Sequence, residues 1–518
     1  MSSGVYISAK RNKFDRTVRQ FKIGPQSMHW GLVFILALAL YVFTLAPDLT
    51  WQDQGEYQVH AAQCILNRPG DVVRVHPLYI ILAHTLGRVG IFSFAYGANL
   101  VSAIFSAVTA ANIYLLAFRL LGRIWPAVLS AFTFALAHSV WFVGVQAQTY
   151  SMANAAMTVG LLFALAYQKS NKLEYLLWMG FAFGLGISVH LMSQIAFAVI
   201  LVWLGIGCVR KRVSIWGFLA VVLFWTAGAC LLWMAMALEY HRSGDWAATL
   251  HSALWGKWSA AVFNLGDLPR LIKRSAQFFV LNFPTPLVLL AVPGIIFSFT
   301  RFPNIVVARL LLACTILYGL FAVRYDIPNQ NHFFLPMYLF VSLYIGLGFA
   351  YTFQRQVKFW SLLTVVLLSA IPPTYIVISH YARQQQIRLG TKRHIPYRDV
   401  YAYYLLPWQH QQTGPRLFAE ATFQKVPQDA VILADKTTLP PLQYLHQVEM
   451  VRPDVEVLLL PEKAKLQTLL LNQRRVFTIS NIKGYYPEWV QEAGNLLRFP
   501  ISKTEHIFEI APEEFENE

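Results

Sequence analysis

Carboxylates and cations are concentrated between residues 45 and 79, directly after the first long apolar segment. Asp53 and Glu56 are three residues apart, so on a helix both carboxylates lie on one face. Their mutual repulsion makes one of them hold its proton more tightly, which suits a general base. Arg74 and His76 follow in the same segment and could stabilise a departing phosphate. These residue types predict proton abstraction beside an anion site.

The neighbouring residues favour a segment that lies along a membrane surface. Trp51, Tyr57 and the largely apolar run 59–62 would hold an amphipathic helix at the interface, whereas a solvated loop is the alternative. Two further carboxylates have simpler expected roles. Asp48 would cap the next segment, and Asp71 would satisfy its own backbone in a turn. By elimination, Asp53 is the carboxylate that we expect the reaction to require.

The composition is typical of a multi-spanning membrane protein. The chain has 518 residues, of which 56% are hydrophobic and 15% aromatic, and only 13% are charged. Residues 381–518 contain as many acidic as basic residues, so the whole net charge of +16 belongs to the part upstream. Loop topology explains such an excess in a membrane domain, and we therefore expect no nucleic-acid partner.

Eleven apolar runs have the length of membrane spans. The first run has no cleavage site behind it and is predicted to be a retained span. The runs cover residues 28–45, 97–118, 125–143, 150–167, 175–189, 191–209, 213–238, 277–299, 305–323, 333–351 and 359–379. The predicted fold class is an α-helical polytopic membrane protein with about 11 transmembrane helices, juxtamembrane helices and a C-terminal α/β soluble domain.

Basic residues in the connecting loops give the predicted orientation. With a cytoplasmic tail at 1–27, the inner loops carry Lys or Arg, as the positive-inside rule requires. Counting 76–92 as a further span would reverse this pattern, so that segment is predicted to be a second juxtamembrane helix. The prediction is a transmembrane domain over 28–380 with an acidic outer loop at 47–92, followed by an extracytoplasmic domain over 381–518.

The same orientation gathers most of the unusual polar residues on the outer face. A common outward-facing cavity is the expected reason for the set, although a lone helix-end histidine such as His190 is more often structural. The set includes Gln148, Asn154, His190, Arg324 and His332. A transporter is the rival class. However, transporters place ionisable groups near the midplane and often contain internal repeats, and we find no repeat.

Residues 381–518 have the pattern of a small globular domain. Short β-like runs at 430–435, 455–460, 476–480 and 506–510 alternate with segments of helical spacing at 442–451, 462–472 and 488–497. This alternation predicts a mostly parallel α/β sheet. Asp435, at the carboxyl end of its strand, either belongs to a ligand site or starts a turn.

Several of these segments together resemble the GT-C glycosyltransferases, polytopic enzymes that use lipid-phosphate-linked sugars. Asp53-Gln-Gly-Glu56 and His76-Pro-Leu-Tyr79 are similar to motifs of a bacterial branch related to the endoplasmic-reticulum protein O-mannosyltransferases that modify plexin-type receptors. Further similar segments are 145–154 and 435–455. The chain departs from the branch pattern where Gln54 replaces Ser, Gln148 replaces Glu, and Pro-Gly is missing after Pro77.

The resemblance implies a membrane glycosyltransferase, a hexosyltransferase that moves a sugar from a polyprenyl phosphate to an acceptor hydroxyl with inversion. Asp53 would be the general base and Glu56 the neighbour that orients it or raises its pKa. The substrate-binding residues would be Arg74, His76, Gln148, Tyr150, Asn154, His190, Arg324 and His332. The acceptor would be a protein or a glycan, and the location a bacterial inner membrane.

No cofactor is expected besides the lipid-phosphate sugar, which is the donor substrate. Gln148 in place of the second carboxylate argues against a divalent metal site. The same replacement favours an alternative, a catalytically degenerate relative that binds lipid or a partner. The feature that separates these classes is whether Asp53 faces a cavity that also opens to lipid.

Overall fold

The structure is a computed structural model that describes residues 23–262, 264, 266–302, 304–390, 393–459, 468–469, 474–482, 484–486, 496–503 and 505–510. Most of the predicted tail 1–27 lies outside the described residues. So do most of the predicted helical segments 462–472 and 488–497.

Helices form nearly the whole membrane part. They are α1 Ile23–Phe43, α2 Gln52–Gln63, α3 Pro77–Gly87, α4 Phe94–Leu121, α5 Ile124–Ala135, α6 His138–Gly144, α7 Thr149–Ser170, α8 Leu173–Ile187, α9 Gln194–Val209, α10 Ile215–Gly228, α11 Cys230–Ser243, α12 Trp246–Leu254, α13 Ser259–Val262, α14 Leu268–Asn282, α15 Ala291–Thr300, α16 Ile305–Arg324, α17 Leu335–Thr352, α18 Val357–Ser369 and α19 Ile371–Gln384. Short 3-10 turns occur at Val72–Arg74, Leu191–Ser193, Gly256–Trp258, Pro286–Leu290 and Gln330–Phe334.

The predicted spans coincide with these helices. In the described part, seven helices are long and apolar enough to cross a membrane, and three bent helix pairs bring the number to ten. The eleventh predicted span corresponds to α8, an apolar helix of 15 residues. The chain is therefore an integral membrane protein, and the predicted fold class is confirmed.

Three predicted spans, 125–143, 213–238 and 277–299, are bent, and the bend in 277–299 is the largest. The span 277–299 begins in the middle of α14, and the chain bends by 107° before the apolar helix continues from Pro286. Pro284 and Pro286 have no backbone N–H to donate, which explains why one straight helix cannot run through this region.

The acidic loop contains two short helices, as predicted. α2 has 12 residues and α3 has 11, and both are shorter than the roughly 20 residues that a span needs. The predicted juxtamembrane position of 76–92 agrees with these lengths.

Close backbone approach packs the middle of the bundle. A Cβ atom added at Gly294 would lie 1.9 Å from the carbonyl oxygen of Tyr344, and one at Gly348 would lie 1.9 Å from that of Leu290. Only glycine permits this distance between α15 and α17. Around this contact the spans bury one continuous apolar core, which gives the loops at its ends a rigid support.

The C-terminal domain contains a five-stranded sheet in the order β2-β1-β3-β5-β4. Its elements are α20 Val400–Leu405, α21 Gly414–Lys425, β1 Val431–Ala434, α22 Leu439–Gln443, β2 Glu456–Leu459, β3 Val476–Thr478, β4 Leu496–Pro500 and β5 His506–Ile510. β1 pairs in parallel with β2 and β3, but β5 is antiparallel to both β3 and β4. The prediction of a mostly parallel sheet is therefore wrong for its second half, because β4 pairs antiparallel with β5.

The C-terminal domain is docked on the acidic loop. Arg416 of α21 pairs with Asp48 and also with Glu449, whose Oε1 is 2.6 Å from Arg416 Nη2. The backbone N–H of Gln52 donates to the carbonyl of Thr437 at 3.2 Å. Asp48 was expected to cap the following segment, but no side chain caps α2, and Asp48 contacts the other domain instead.

Candidate active site

A cavity of about 560 Å³ lies between the acidic loop, the neighbouring ends of the spans and the C-terminal domain. Its polar wall includes Asp53, Tyr57, Arg74, His76, Tyr150, His190, Asn329 and Lys436. Its apolar wall comes from α9, from the segment around Trp258 and from the end of α16. Asp53 is the only carboxylate among the described residues that line this cavity.

Asp53 lies in the first turn of α2 and is held from two sides. Asn329 Nδ2 donates to Asp53 Oδ2 at 2.9 Å, and Arg74 Nη2 lies 3.4 Å from Asp53 Oδ1. Its side chain is still 43% exposed, and this surface opens into the cavity. A carboxylate that is oriented but partly uncovered can accept a proton from a bound molecule.

Burial is the main reason that the pKa of Asp53 is raised. Arg74 acts in the opposite direction, and the negative charge of Glu56 raises the pKa further. The sequence predicted repulsion between the two carboxylates, and this effect is present. However, desolvation is larger, because the uncovered part of the carboxyl group opens into a cavity walled by protein and not into bulk water.

Glu56 faces away from the cavity and anchors the arginines of the acidic loop. Glu56 Oε2 is 2.6 Å from Arg74 Nη2, and Oε1 pairs with Arg68. Burial raises the pKa of Glu56, but these two guanidinium groups outweigh it and hold the pKa below its usual value. Asp53 and Glu56 thus contact the same guanidinium from one helix face, as their spacing predicted.

Asp71 is the third carboxylate that contacts the arginines of the acidic loop. Its side chain is only 4% exposed, and Oδ2 lies 3.5 Å from Arg74 Nη1 and 3.8 Å from Arg68 Nε. Asp71 does not satisfy its own backbone, which corrects the expectation from its turn position. Arg74 therefore contacts three carboxylates, and little of its charge remains for a substrate.

His76 is fixed in one tautomer. Its Nδ1 donates to the carbonyl of Val189 at 2.6 Å, and Tyr57 donates its hydroxyl to Nε2 at 3.2 Å. Burial lowers the pKa of His76 well below its usual value, so the ring is neutral. The ring stacks on His190 with 5.2 Å between centroids, and Tyr150 lies 4.8 Å from His190. The three predicted residues His76, Tyr150 and His190 thus form one aromatic wall.

The backbone of His76 has an unusual conformation. Its φ of +51° lies in the left-handed region, directly before Pro77 at the start of α3. Such a conformation costs a non-glycine residue about 1–3 kcal/mol, and it often occurs at functional sites. It is compensated here by the two hydrogen bonds of the imidazole ring.

Four of the predicted substrate-binding residues lie outside the cavity wall. Gln148 is buried at the start of α7, and its Oε1 accepts no hydrogen bond from a described residue. Asn154 is buried inside α7, and His332 is buried beside Tyr150 with 5.4 Å between ring centroids. Arg324 ends α16 and does not line the cavity. Their proposed contacts with substrate remain predictions.

The C-terminal domain contributes to the cavity wall through the turn after β1. Asp435 Oδ1 accepts from the backbone N–H groups of Thr437 and Thr438, both at 2.9 Å. Its Oδ2 pairs with Arg393 at 2.7 Å. Of the two sequence interpretations of Asp435, the structure shows the turn, and this turn places Lys436 and Thr437 in the cavity wall.

Two lining residues were missed by the sequence analysis as individual positions. Asn329 lies between the predicted residues Arg324 and His332 and was not itself predicted. Lys436 follows Asp435 and was not predicted to line a site, because a lysine in a turn is normally solvated. In the described part, no group of three His, Cys, Asp or Glu side chains is arranged to hold a metal ion.

Gly55 lies where α2 packs closely against Pro440 of the C-terminal domain. A Cβ atom here would lie 2.3 Å from the carbonyl oxygen of Thr50 and 2.8 Å from Pro440 Cβ. Gly55→Ala is expected to cost about 1–3 kcal/mol through overpacking and to lower the apparent unfolding temperature in detergent. Gly205→Ala is the matched control, because nothing lies within 4 Å of its added Cβ. Equal unfolding temperatures for the two variants would contradict this contact.

Comparison with known proteins agrees with this architecture. Residues 53–212 match the family model of the Protein O-mannosyl-transferase TMEM260 N-terminal domain. The sequence has no significant match among curated proteins.

Similar solved structures extend over nearly the whole chain. ArnT from Cupriavidus metallidurans bound to undecaprenyl phosphate has a TM-score of 0.59 at 13% identity. The match covers 93% of this chain and 98% of the ArnT chain. Its apo state has a TM-score of 0.58 at 14% identity, with 94% and 99% covered. The match to the S. cerevisiae protein O-mannosyltransferase Pmt1–Pmt2 complex covers only 48% of this chain and 37% of the matched chain, with 16% identity and a TM-score of 0.33.

The chain therefore has the fold of the GT-C glycosyltransferases, and its residues 53–212 are similar to the N-terminal domain of Protein O-mannosyl-transferase TMEM260, as the sequence resemblance predicted.

Proposed function

We propose that the protein transfers a sugar from a polyprenyl-phosphate donor to an acceptor hydroxyl, with inversion, at the extracytoplasmic face of a bacterial inner membrane. The observation that carries this proposal is the position of Asp53 as the only carboxylate among the described lining residues of the cavity. The related ArnT structure contains undecaprenyl phosphate, which supports a donor of the same class.

The cavity walls fit a donor with a polar head and a lipid tail. Asp53 and the aromatic wall of His76, Tyr150 and His190 occupy the polar end. At the other end the lining reaches Ile195 and the exposed Ala198 on the span 191–209. An apolar end that reaches the surface of a span offers a polyprenyl chain a path to the bilayer.

The proposed step is a single displacement. Asp53 takes the proton of the acceptor hydroxyl while the oxygen of that hydroxyl forms a bond to the anomeric carbon. The bond from that carbon to the phosphate oxygen breaks, and the lipid phosphate leaves with the electron pair. Attack from the face opposite the leaving group inverts the anomeric centre. Because its pKa is raised, Asp53 is a stronger base for the proton that the acceptor hydroxyl releases.

The test compares cells that lack the chain with cells that express wild type or Asp53→Asn. Membrane glycoproteins and surface glycans are analysed by mass spectrometry. Wild type is expected to restore a glycan modification, and Asp53→Asn is expected to restore none at equal protein levels. Identical glycan profiles with and without the wild-type chain would contradict the proposal. Restoration by Asp53→Asn would contradict the role of this carboxylate.

A transporter has less support than this transferase. The carboxylate of the cavity lies on the juxtamembrane helix α2 and not inside a span. Transporters instead place such groups near the bilayer midplane. The position of Asp53 therefore favours chemistry at the membrane surface.

The pH dependence of turnover reports on the protonation of Asp53. Only the carboxylate is a base, and burial raises its pKa, so turnover should rise with pH through an apparent pKa above the usual 3.8. The hydrogen bond from Asn329 lowers this pKa. Asn329→Ala should therefore move the acidic limb of the pH profile to higher pH. An unchanged or lower acidic limb would contradict the assignment.

A further inference from the structure

We propose that the C-terminal domain supplies an anion site for the donor, in which Lys436 binds the phosphate of the lipid carrier. This inference deepens the proposed function and rests on it. The site would consist of the Lys436 ammonium group at the cavity wall, beside Thr437. A residue of the soluble domain would thus complete a site whose base lies in the membrane domain.

The first argument concerns the balance of charge in the cavity. Three charged side chains line it in the described part: Asp53, Arg74 and Lys436. Arg74 contacts Asp53, Glu56 and Asp71, so its charge is already compensated by protein carboxylates. No described carboxylate lies within ion-pair distance of Lys436 in the structure. Lys436 is therefore the cation of the cavity that remains to be neutralised by a bound anion.

The second argument concerns how Lys436 is held. The turn that carries it is fixed by the hydrogen bonds of Asp435 to Thr437 and Thr438 and by the ion pair of Asp435 with Arg393. The Lys436 Nζ atom lies over the ring of Trp258, 5.8 Å from its centroid. This cation–π contact keeps the ammonium group on the cavity side, and it leaves the three N–H donors available.

The third argument concerns the chemistry of the proposed reaction. A lipid phosphate gains negative charge as the sugar leaves, and it needs a cation that is not shared with the base. Arg74 is bound to Asp53 and cannot serve both groups equally. Lys436 comes from a different element and can stabilise the leaving phosphate without withdrawing charge from the base. The phosphate of the carrier is thus the anion that fits the site.

The test measures binding to the purified full-length protein in detergent without any sugar transfer. The probes are a polyprenyl phosphate, the corresponding polyprenol, and inorganic phosphate as a competitor. Lys436→Ala should weaken polyprenyl phosphate binding by about 10-fold, since hydrogen bonds to charged groups contribute that much. Polyprenol binding should not change, and Lys436→Arg should retain most of the affinity. Inorganic phosphate should compete weakly, because it lacks the tail, and Lys436→Ala should weaken this competition too.

The control variant is Lys425→Ala, which removes an exposed lysine at the end of α21, outside the cavity lining. It should bind all three probes like wild type. Unchanged polyprenyl phosphate binding in Lys436→Ala would overturn the inference, and so would an equal loss of polyprenol binding. Loss of sugar transfer in Lys436→Ala without loss of lipid-phosphate binding would likewise overturn it. A protein that never transfers sugar but binds lipid phosphate through Lys436 would contradict the proposed function and leave the anion site intact.

Discussion

Asp53→Asn is expected to lower turnover by about 10²–10⁴-fold, while the affinity for the donor lipid stays close to wild type. The substitution keeps the shape of the side chain and removes the base. Asparagine can retain a polar contact with Asn329 and with Arg74, so the local fold should persist. Turnover and donor affinity would be measured on purified protein, with donor binding followed separately from transfer.

Glu56→Gln is the matched comparison, because Glu56 lies on the same helix face but does not line the cavity. It should cost less turnover than Asp53→Asn, and its main effect should be a looser Arg74. If Asp53→Asn kept near-normal transfer while Glu56→Gln was inactive, the two roles would be exchanged. If both variants stayed active, a carboxylate base in this segment would be excluded.

The sequence predicted the membrane fold well, because each span is encoded locally. An apolar run of about 20 residues needs no partner to be recognised. The same holds for the pair Asp53 and Glu56, whose spacing on α2 alone brings both carboxylates to one guanidinium. The break at Pro284 was missed, because a hydropathy pattern does not register the loss of a single backbone donor.

The parts that the sequence did not predict depend on contacts between distant segments. Asp48 meets Arg416 across 368 positions, and Asp53 meets Asn329 across 276 positions. Nothing in the local pattern around either carboxylate indicates such a partner. Lys436 was missed for the same reason, since its place in the cavity depends on how the whole C-terminal domain docks.

The burial of the acidic loop leads to a second large effect. Arg74 is about one-fifth exposed, and it lies among Asp53, Glu56 and Asp71. Breaking a buried ion pair by removing one partner costs about 3–5 kcal/mol, because the remaining charge has lost its compensation. Arg74→Met is therefore expected to lower the free energy of unfolding by about 3 kcal/mol. This value is at the lower end of the range, because part of the network is solvated.

The reason for this expected loss is Asp71, which is almost fully buried. Without Arg74, its Oδ2 keeps only Arg68 at 3.8 Å, and its Oδ1 accepts no hydrogen bond from a described residue. The double variant Arg74→Met/Asp71→Asn removes the unpaired charge as well and should recover part of the stability. Arg270→Met is the control, because Arg270 is exposed and its ion pairs are screened by solvent, so their loss should change the stability little.

Thermal unfolding of the purified variants in one detergent compares the four proteins directly. The acidic limb of the pH profile of turnover reports independently on the pKa of Asp53 in the same variants. Arg74 lowers the pKa of Asp53, so Arg74→Met should shift this limb to higher pH as well as destabilise the fold. Arg270→Met should change neither property. If Arg74→Met unfolded at the wild-type temperature, or if Asp71→Asn gave no recovery, Arg74 would not hold the acidic loop together.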